Sequence, residues 1–230
     1  MAGQKECKII TVFNEKGGSG KTTTTCQLAG TLGLRGYDVL VADLDAQQTA
    51  AAWLGMNGGS DFKATIWPGF RYGANVYDEM KKLSTKYEII VADCAPSVEQ
   101  PTTWGMLLIS DLALIPAKLS PPDMAALPSA KRLARRAIEE CERNYPVRVI
   151  ANATKLHMND DKAFFDQLKD DKDFPPLANV MGDRKAYSRS MLYGSTVHAV
   201  KGGEDAVKEM ERITDDVLNI LKLSKVNKGV

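Results

Sequence analysis

The segment Lys16-Gly17-Gly18-Ser19-Gly20-Lys21-Thr22-Thr23 follows a β-rich apolar run at residues 8–13 and precedes helical periodicity at residues 21–34. Glycines leave a loop free to curl so that its backbone N–H groups point inward, and the start of a helix adds partial positive charge. This strand–loop–helix context is the one that a phosphate-binding loop requires. The alternative is a glycine-rich turn without a ligand, but strand, glycines, Lys-Thr pair and helix together favour the phosphate loop.

Strand and helix patterns alternate on both sides of this loop. Short apolar runs predict strands at residues 8–13, 39–43, 89–93, 112–116 and 147–151. Helical spacing predicts helices at residues 21–34, 77–85, 102–110, 124–144, 160–169 and 204–223. Residues 55–73 are glycine-rich and poorly periodic, so we expect a loop or an excursion at the sheet edge. The alternation predicts an α/β fold with a doubly wound, mostly parallel sheet, helices on both faces, and a single domain over residues 1–230.

Three carboxylates stand at the ends of predicted strands. Asp43 and Asp45 close the second strand, and Asp93 closes the third. In a doubly wound sheet, the ligand crevice lies outside the carboxyl ends of the strands. An aspartate after four apolar residues, as at Asp93, is typical of a Mg²⁺ site beside a phosphate loop. For Asp43 and Asp45, the alternative is that they only cap the helix that follows.

A second lysine, Lys16, precedes the glycines, and Glu15 stands where the first glycine of the usual G-x-x-x-x-G-K-[ST] loop belongs. The resulting K-G-G-x-G-K-[ST] pattern is the deviant Walker A motif. With this motif, the sequence resembles the ParA/MinD family of ATPases over about residues 8–223. Residues 114–123 and 187–194 are also similar to segments of the short, ParF-like plasmid partition ATPases.

The resemblance implies a P-loop ATPase domain that binds ATP and Mg²⁺, and it assigns roles to residues. Lys16 would reach the phosphates of a second protomer, Lys21 the β/γ phosphates, and Asp45 would orient or deprotonate the attacking water. Ligands of Mg²⁺ are expected at Thr22, Asp43 and Asp93. Nucleotide contacts are expected at Gly17, Gly18, Ser19, Gly20, Lys21, Thr22 and Thr23, and adenine contacts at Met181 and Asp183. Ala95 replaces the first proline of the family's D-x-P-P-S turn.

The same resemblance implies slow, partner-stimulated ATP hydrolysis. We expect a homodimer that forms on ATP binding, binds DNA without sequence preference and segregates plasmid or chromosome cargo. Its partner would be a ParB-like centromere-binding protein or a cargo adaptor. One alternative keeps the chemistry and positions a non-DNA cargo, such as a carboxysome or a chemoreceptor cluster. Another is a metabolic ATP-dependent enzyme of the dethiobiotin-synthetase type.

The composition is that of an ordinary globular protein. The chain is 44% hydrophobic and 26% charged, which excludes a mainly disordered, collagen-like or disulfide-scaffold protein. A net charge of +1 means that DNA binding requires a local patch or one built by oligomerisation. Two basic clusters are candidates, although each is alternatively a solvated face. Their members are Lys131, Arg132, Arg135, Arg136 and Arg143, and then Arg184, Lys185, Arg189 and Lys201.

The remaining sequence features favour a cytoplasmic protein with no membrane partner, and the resemblance implies that it associates with the nucleoid. No apolar run approaches the ~20 residues of a membrane span, and the first residues lack the apolar core of a secretory signal. The four cysteines are scattered, which favours reduced thiols over a zinc or iron–sulfur site. So few residues precede the phosphate loop that we expect no helix-turn-helix domain before it.

Overall fold

The computed structural model describes residues 6–56, 62–97 and 100–223. Within these residues, six strands form one parallel sheet in the order β3-β2-β4-β1-β5-β6. The strands are β1 (Lys8–Val12), β2 (Val39–Asp43), β3 (Thr65–Pro68), β4 (Ile89–Asp93), β5 (Leu112–Lys118) and β6 (Val147–Asn152). The α-helices are α1 (Lys21–Leu34), α2 (Thr49–Gly55), α3 (Val76–Leu83), α4 (Pro101–Ile109), α5 (Pro121–Cys141), α6 (Asn159–Lys169), α7 (Lys185–Leu192) and α8 (Glu204–Ile220).

The two faces of the sheet carry separate hydrophobic cores, because successive side chains of a strand point to opposite faces. In β1, Ile10 and Val12 face one core and Ile9 faces the other. Helices α1, α2, α7 and α8 cover the first core, and α3 to α6 cover the second. Every residue of β2 and β4 is buried, which accounts for their continuous apolar sequence. The predicted α/β fold, a parallel sheet with helices on both faces, is confirmed.

Several elements differ from the prediction. The poorly periodic segment contains the edge strand β3 and a 3-10 helix, Phe70–Asn75, while residues 57–61 lie outside the described residues. The short helices α2 and α7, with 7 and 8 residues, were not predicted, although the 8-residue α3 was. Helix α5 begins at Pro121 rather than at residue 124, since proline is compatible with the first turn of a helix.

The topology brings the predicted site residues to one edge of the sheet. The β1-to-β2 connection crosses β4, and the β4-to-β5 connection crosses β1, so the winding direction reverses beside β1. In the strand register, Asp93 lies beside both Val12 and Asp43. The segment that leaves β1 therefore emerges beside these two carboxylates, in the crevice where such sheets bind ligands. No helix in the described parts of the chain is long and apolar enough to cross a membrane.

Candidate functional site

A glycine with left-handed backbone geometry ends the phosphate loop where α1 begins. Gly20 has a φ of 98°, a conformation that glycine adopts without the steric cost of a side chain. A Cβ atom at Gly20 would also lie 1.6 Å from Nδ2 of Asn152. This Nδ2 donates a hydrogen bond to the backbone oxygen of Ser19 at 3.1 Å. Glycine is therefore required both for the backbone turn and for the close approach of β6.

The entrance of the loop is fastened to β5 through Asn14. Its Nδ2 donates a hydrogen bond to the backbone oxygen of Pro116 at 2.7 Å, and its Oδ1 accepts one from the N–H of Lys16 at 3.1 Å. The loop is thus held at one end by β5 and at the other by β6. Asn14 and Asn152 are not among the residues that the motifs select. Asn152 carries the same signal as Asp43 and Asp93, because it is a polar residue that ends a buried strand.

Lys21 lies inside the loop. Its side chain is 7% exposed, and its Nζ donates a hydrogen bond to the backbone oxygen of Lys16 at 3.1 Å. Burial lowers the pKa of Lys21, while the nearby carboxylates of Asp93 and Asp45 oppose this shift. Oγ of Ser19 is buried without a hydrogen-bond partner among the described residues. A buried cation, an unpaired hydroxyl and a curled glycine backbone fit an anionic ligand such as a phosphate chain.

Thr22 and Asp93 meet beside Lys21. Oγ1 of Thr22 donates a hydrogen bond to Oδ2 of Asp93 at 2.7 Å, and Thr25 donates to Oδ1 at 3.4 Å. Hydroxyl and carboxylate oxygens are the ligands that Mg²⁺ prefers, and this ion commonly completes its shell with water and substrate phosphates. Within the described residues, no group of three or more His, Cys, Asp or Glu side chains could hold a metal by itself.

Asp43 and Asp45 differ in exposure and in contacts. Asp43 is fully buried, and its oxygens accept the N–H groups of Asp45 at 3.2 Å and Ala51 at 2.9 Å. The second contact caps α2, as the capping alternative for these carboxylates predicts. Asp45 lies beyond the end of β2, is half-buried and accepts the N–H of Gln47 at 3.0 Å. Of the two carboxylates, Asp45 is the one that solvent reaches.

A cavity of about 410 Å³ opens beside the loop, within the range of small-molecule sites. Its lining comes from the loop, the ends of β5 and β6, the segment before α7, α7 itself and α2. These residues include Gly18, Gly20, Thr23, Trp53, Lys118, Asn152, Gly182, Asp183, Lys185, Tyr187 and Ser188. Asp183 thus lies on the cavity wall, where its Oδ2 pairs with Nζ of Lys155 at 3.0 Å. Met181 does not lie there, because its side chain is fully buried against Thr24 of α1.

The two basic clusters differ in how many of their cations are paired, and in the first only Arg132 is exposed with neither an ion pair nor a ring contact among the described residues. On α5, Lys131 pairs with Asp171 at 2.6 Å and Arg135 with Asp173 at 2.9 Å. Arg143 pairs with Asp111, and Arg136 lies over the ring of Trp104. In the second cluster, Arg184 pairs with Asp205 and Glu209. By contrast, Lys185, Arg189 and Lys201 are exposed and make no ion pair with any residue that the structure describes.

The buried carboxyl of Asp93 gives the ligand-free protein a predicted pH dependence. Burial raises the pKa of Asp93 to about 7, and Asp43 and Asp45 add to this shift, whereas Thr22 and Lys21 oppose it. The unfolded chain loses this proton near pH 4, so between the two values the folded state holds a proton that the unfolded state lacks. Because of Asp93, the free energy of unfolding therefore falls as the pH rises from about 4 to about 7. Above pH 7 the contribution of Asp93 changes little.

The side chain in Asp93→Asn does not titrate. We therefore expect the free energy of unfolding of this variant to rise by about 2 kcal/mol relative to that of the wild-type chain between pH 5 and pH 8. Urea unfolding of both proteins without nucleotide and with EDTA measures this difference. If the free energies of unfolding of the variant and the wild-type chain differ by the same amount at pH 5 and at pH 8, the raised pKa does not belong to Asp93.

A model of the CobQ/CobB/MinD/ParA nucleotide-binding domain matches residues 10–223. Among curated proteins, the chain is similar to the maintenance of carboxysome distribution protein A of Halothiobacillus neapolitanus, with 24% identity over 213 residues that cover 91% of this chain and 95% of that protein. It is also similar to a putative replication protein A of Rhizobium rhizogenes, with 43% identity over 72 residues. That match covers 30% of this chain and only 18% of the relative.

Two solved structures show the same fold. One is a putative plasmid partition protein from Borrelia burgdorferi bound to AMPPNP, with a TM-score of 0.74 and 21% identity, covering 93% of this chain and 99% of that chain. The other is the septum site-determining protein MinD from Pyrococcus horikoshii complexed with Mg-ADP, with a TM-score of 0.69 and 19% identity, covering 92% and 96%. Since the family model spans most of the sequence, the chain belongs to the CobQ/CobB/MinD/ParA family of nucleotide-binding domains, which includes the ParA/MinD-type ATPases.

Proposed function

We propose that the protein is a ParA-type partition ATPase. ATP would drive two chains into a sandwich dimer, the dimer would bind DNA without sequence preference, and a partner protein would stimulate hydrolysis and release. The observation that carries this proposal is the different placement of two lysines on one phosphate loop. Lys21 is buried inside the loop, whereas the side chain of Lys16 is 32% exposed and lies outside it. One lysine serves the chain's own nucleotide, and the other is accessible to a second protomer.

The loop residues provide the contacts for ATP. The backbone N–H groups of the loop, Nζ of Lys21 and Oγ of Ser19 would bind the phosphates, and Thr22 and Asp93 would hold Mg²⁺ with Asp43 behind them. When bound, Mg²⁺ neutralises charge on the phosphates. Asp45, at the open side of the site, would orient the attacking water and accept its proton. The Borrelia protein is bound to AMPPNP and the Pyrococcus protein is complexed with Mg-ADP, which supports this ligand pair.

Helix α7 is the surface best placed to bind DNA under nucleotide control. Its unpaired cations Lys185 and Arg189 attract phosphates without first losing an internal partner. Lys185 also lines the cavity beside the phosphate loop. Gln27 of α1 links the two regions, since its Nε2 donates to Oγ of Ser190 at 2.8 Å and its Oε1 accepts the N–H of Val197 at 2.9 Å. A shift of α1 on ATP binding would therefore reach α7.

We expect the double variant Lys185→Ala/Arg189→Ala to bind arbitrary-sequence duplex DNA at least about tenfold more weakly with ATP, and to reduce the salt slope by about 1 to 2. Fluorescence anisotropy over a salt series measures both. The matched control is Lys131→Ala/Arg135→Ala, which removes two cations that α5 already pairs with carboxylates. Equal losses in both variants, or none in either, would contradict the assignment to α7.

Two versions of this function differ in their cargo, which is plasmid or chromosome DNA in one and a non-DNA body in the other. The similarity to the carboxysome distribution protein, over nearly the full length of both chains, favours a positioning ATPase for a non-DNA cargo as the second candidate. Both versions use nucleoid DNA as the track and differ in the adaptor. Purified candidate adaptors, a ParB-like protein or a carboxysome-bound one, are tested for stimulation of ATP hydrolysis. The adaptor that accelerates turnover identifies the cargo. Fast turnover with ATP alone, above about 1 s⁻¹, favours a metabolic enzyme instead.

A further inference from the structure

Lys16 is held by a carboxylate of its own chain. Its Nζ donates a hydrogen bond to Oδ2 of Asp123 at 2.5 Å, which makes an ion pair across 107 positions of sequence. Asp123 lies in the first turn of α5, which starts directly after β5. The loop approaches this helix because Asn14 fastens its entrance to Pro116 of β5. The contact therefore follows from the anchoring of the loop, and we call the Lys16–Asp123 ion pair the lysine latch.

The carboxylate of the latch depends strongly on its cation. Asp123 is only 5% exposed. Burial alone would raise the pKa of Asp123, but the hydrogen bonds from Lys16 and Ser120 hold it below its ordinary value. Its Oδ1 is buried with no hydrogen-bond partner in the described part of the chain. When Lys16 leaves, Asp123 stays as a largely buried charge whose counter-charge is gone, which is unfavourable.

We propose that Asp123 restrains Lys16 in the monomer and that the sandwich dimer forms only when both latches open, so that Asp123 sets the nucleotide threshold for dimerisation. This inference rests on the proposed function. Lys16 exchanges one anion, Asp123, for another, the phosphate chain bound by the partner protomer. A nucleotide that presents less negative charge to Lys16 competes less well with Asp123. The latch thereby favours ATP over ADP as the nucleotide that supports the dimer.

The latch acts twice in every dimer. Each protomer contributes one Lys16, so the effect on the dimer dissociation constant is the product of two equal factors. Because Lys16 is one-third exposed, solvent screens the pair and each factor is modest. Factors of about three to five for each protomer combine to a change of about tenfold or more.

The test compares the wild-type chain with Asp123→Asn, which keeps the shape and removes the charge. Sedimentation velocity with Mg²⁺ and AMPPNP, with Mg²⁺ and ADP, and without nucleotide gives the dimer dissociation constant. We expect Asp123→Asn to dimerise about tenfold more tightly with AMPPNP and to form dimers with ADP at concentrations where the wild-type chain is monomeric.

Asp171→Asn is the matched control. Asp171 lies outside the site and pairs at 2.6 Å with Lys131, which is on the same helix as Asp123. This substitution removes the same charge and is expected to leave the dimer dissociation constant at the wild-type value. Should Asp123→Asn unfold, Asp123→Ser provides a second uncharged side chain of smaller size for the same comparison. A wild-type chain that dimerises with AMPPNP together with an uncharged variant that dimerises no more tightly would overturn the latch while leaving the proposed function intact. Failure of both to dimerise would overturn the sandwich dimer and the latch with it.

Discussion

Lys21→Ala is expected to abolish ATP binding. Nζ of Lys21 is the charged group that the loop places inside itself, 3.1 Å from the backbone oxygen of Lys16. Its contacts with phosphate oxygens would be charge-assisted, and losing such contacts in a partly buried site weakens affinity by about 100-fold or more. The fold is expected to survive, because burial already disfavours the charged form of Lys21.

Titration with a fluorescent ATP analogue measures this loss, and circular dichroism verifies the fold. Lys82→Ala is the control, since Lys82 is exposed and pairs with Glu79 on α3, away from the loop. Binding of ATP by Lys21→Ala with the wild-type affinity would mean that the loop does not hold the phosphates.

Asp45→Ala is expected to bind ATP and to hydrolyse it about 100-fold more slowly or worse, the usual loss when a general base is removed. Asp45 lies beyond the end of β2, where it is half-buried and solvent reaches it. Asp43, by contrast, is buried, and its oxygens accept hydrogen bonds from backbone N–H groups. Without hydrolysis, the ATP-bound dimer is expected to persist and to stay on DNA.

Single-turnover hydrolysis and sedimentation with ATP measure the two consequences separately. Asp38→Ala is the control, because Asp38 is an exposed carboxylate just before the opposite end of the same strand. If Asp45→Ala hydrolyses ATP at the wild-type rate, another group activates the water.

Local patterns were enough to predict five of the six strands of the sheet and a loop between β1 and α1. Residues such as those of β2 and β4 form unbroken apolar runs because both faces of the strand are covered. Asp43 and Asp93 end neighbouring parallel strands. They therefore lie at the carboxyl edge of the sheet, where such folds bind ligands and where the loop emerges. Periodicity did not predict the short helices α2 and α7, although α7 carries the cations of the proposed DNA surface.

Contacts between distant residues could not be predicted from spacing. The pairing of Lys131 with Asp171 and of Arg135 with Asp173 joins residues 40 and 38 positions apart. It neutralises two cations whose partners cannot be read from the sequence. The Lys16–Asp123 contact and the approach of Asn152 to Gly20 likewise depend on how β5 and β6 lie beside β1. Such contacts require the packed sheet, so the motifs identify the loop without identifying what restrains it.

The most direct test of the proposed switch is the binding of the wild-type chain to arbitrary-sequence duplex DNA with ATP, with ADP and without nucleotide, at two salt concentrations. We expect salt-sensitive binding with ATP and little binding in the other two states, because the cations of α7 bind DNA phosphates only weakly in a monomer of net charge +1. Equal binding in all three states, or none in any, would contradict an ATP-controlled attachment to DNA.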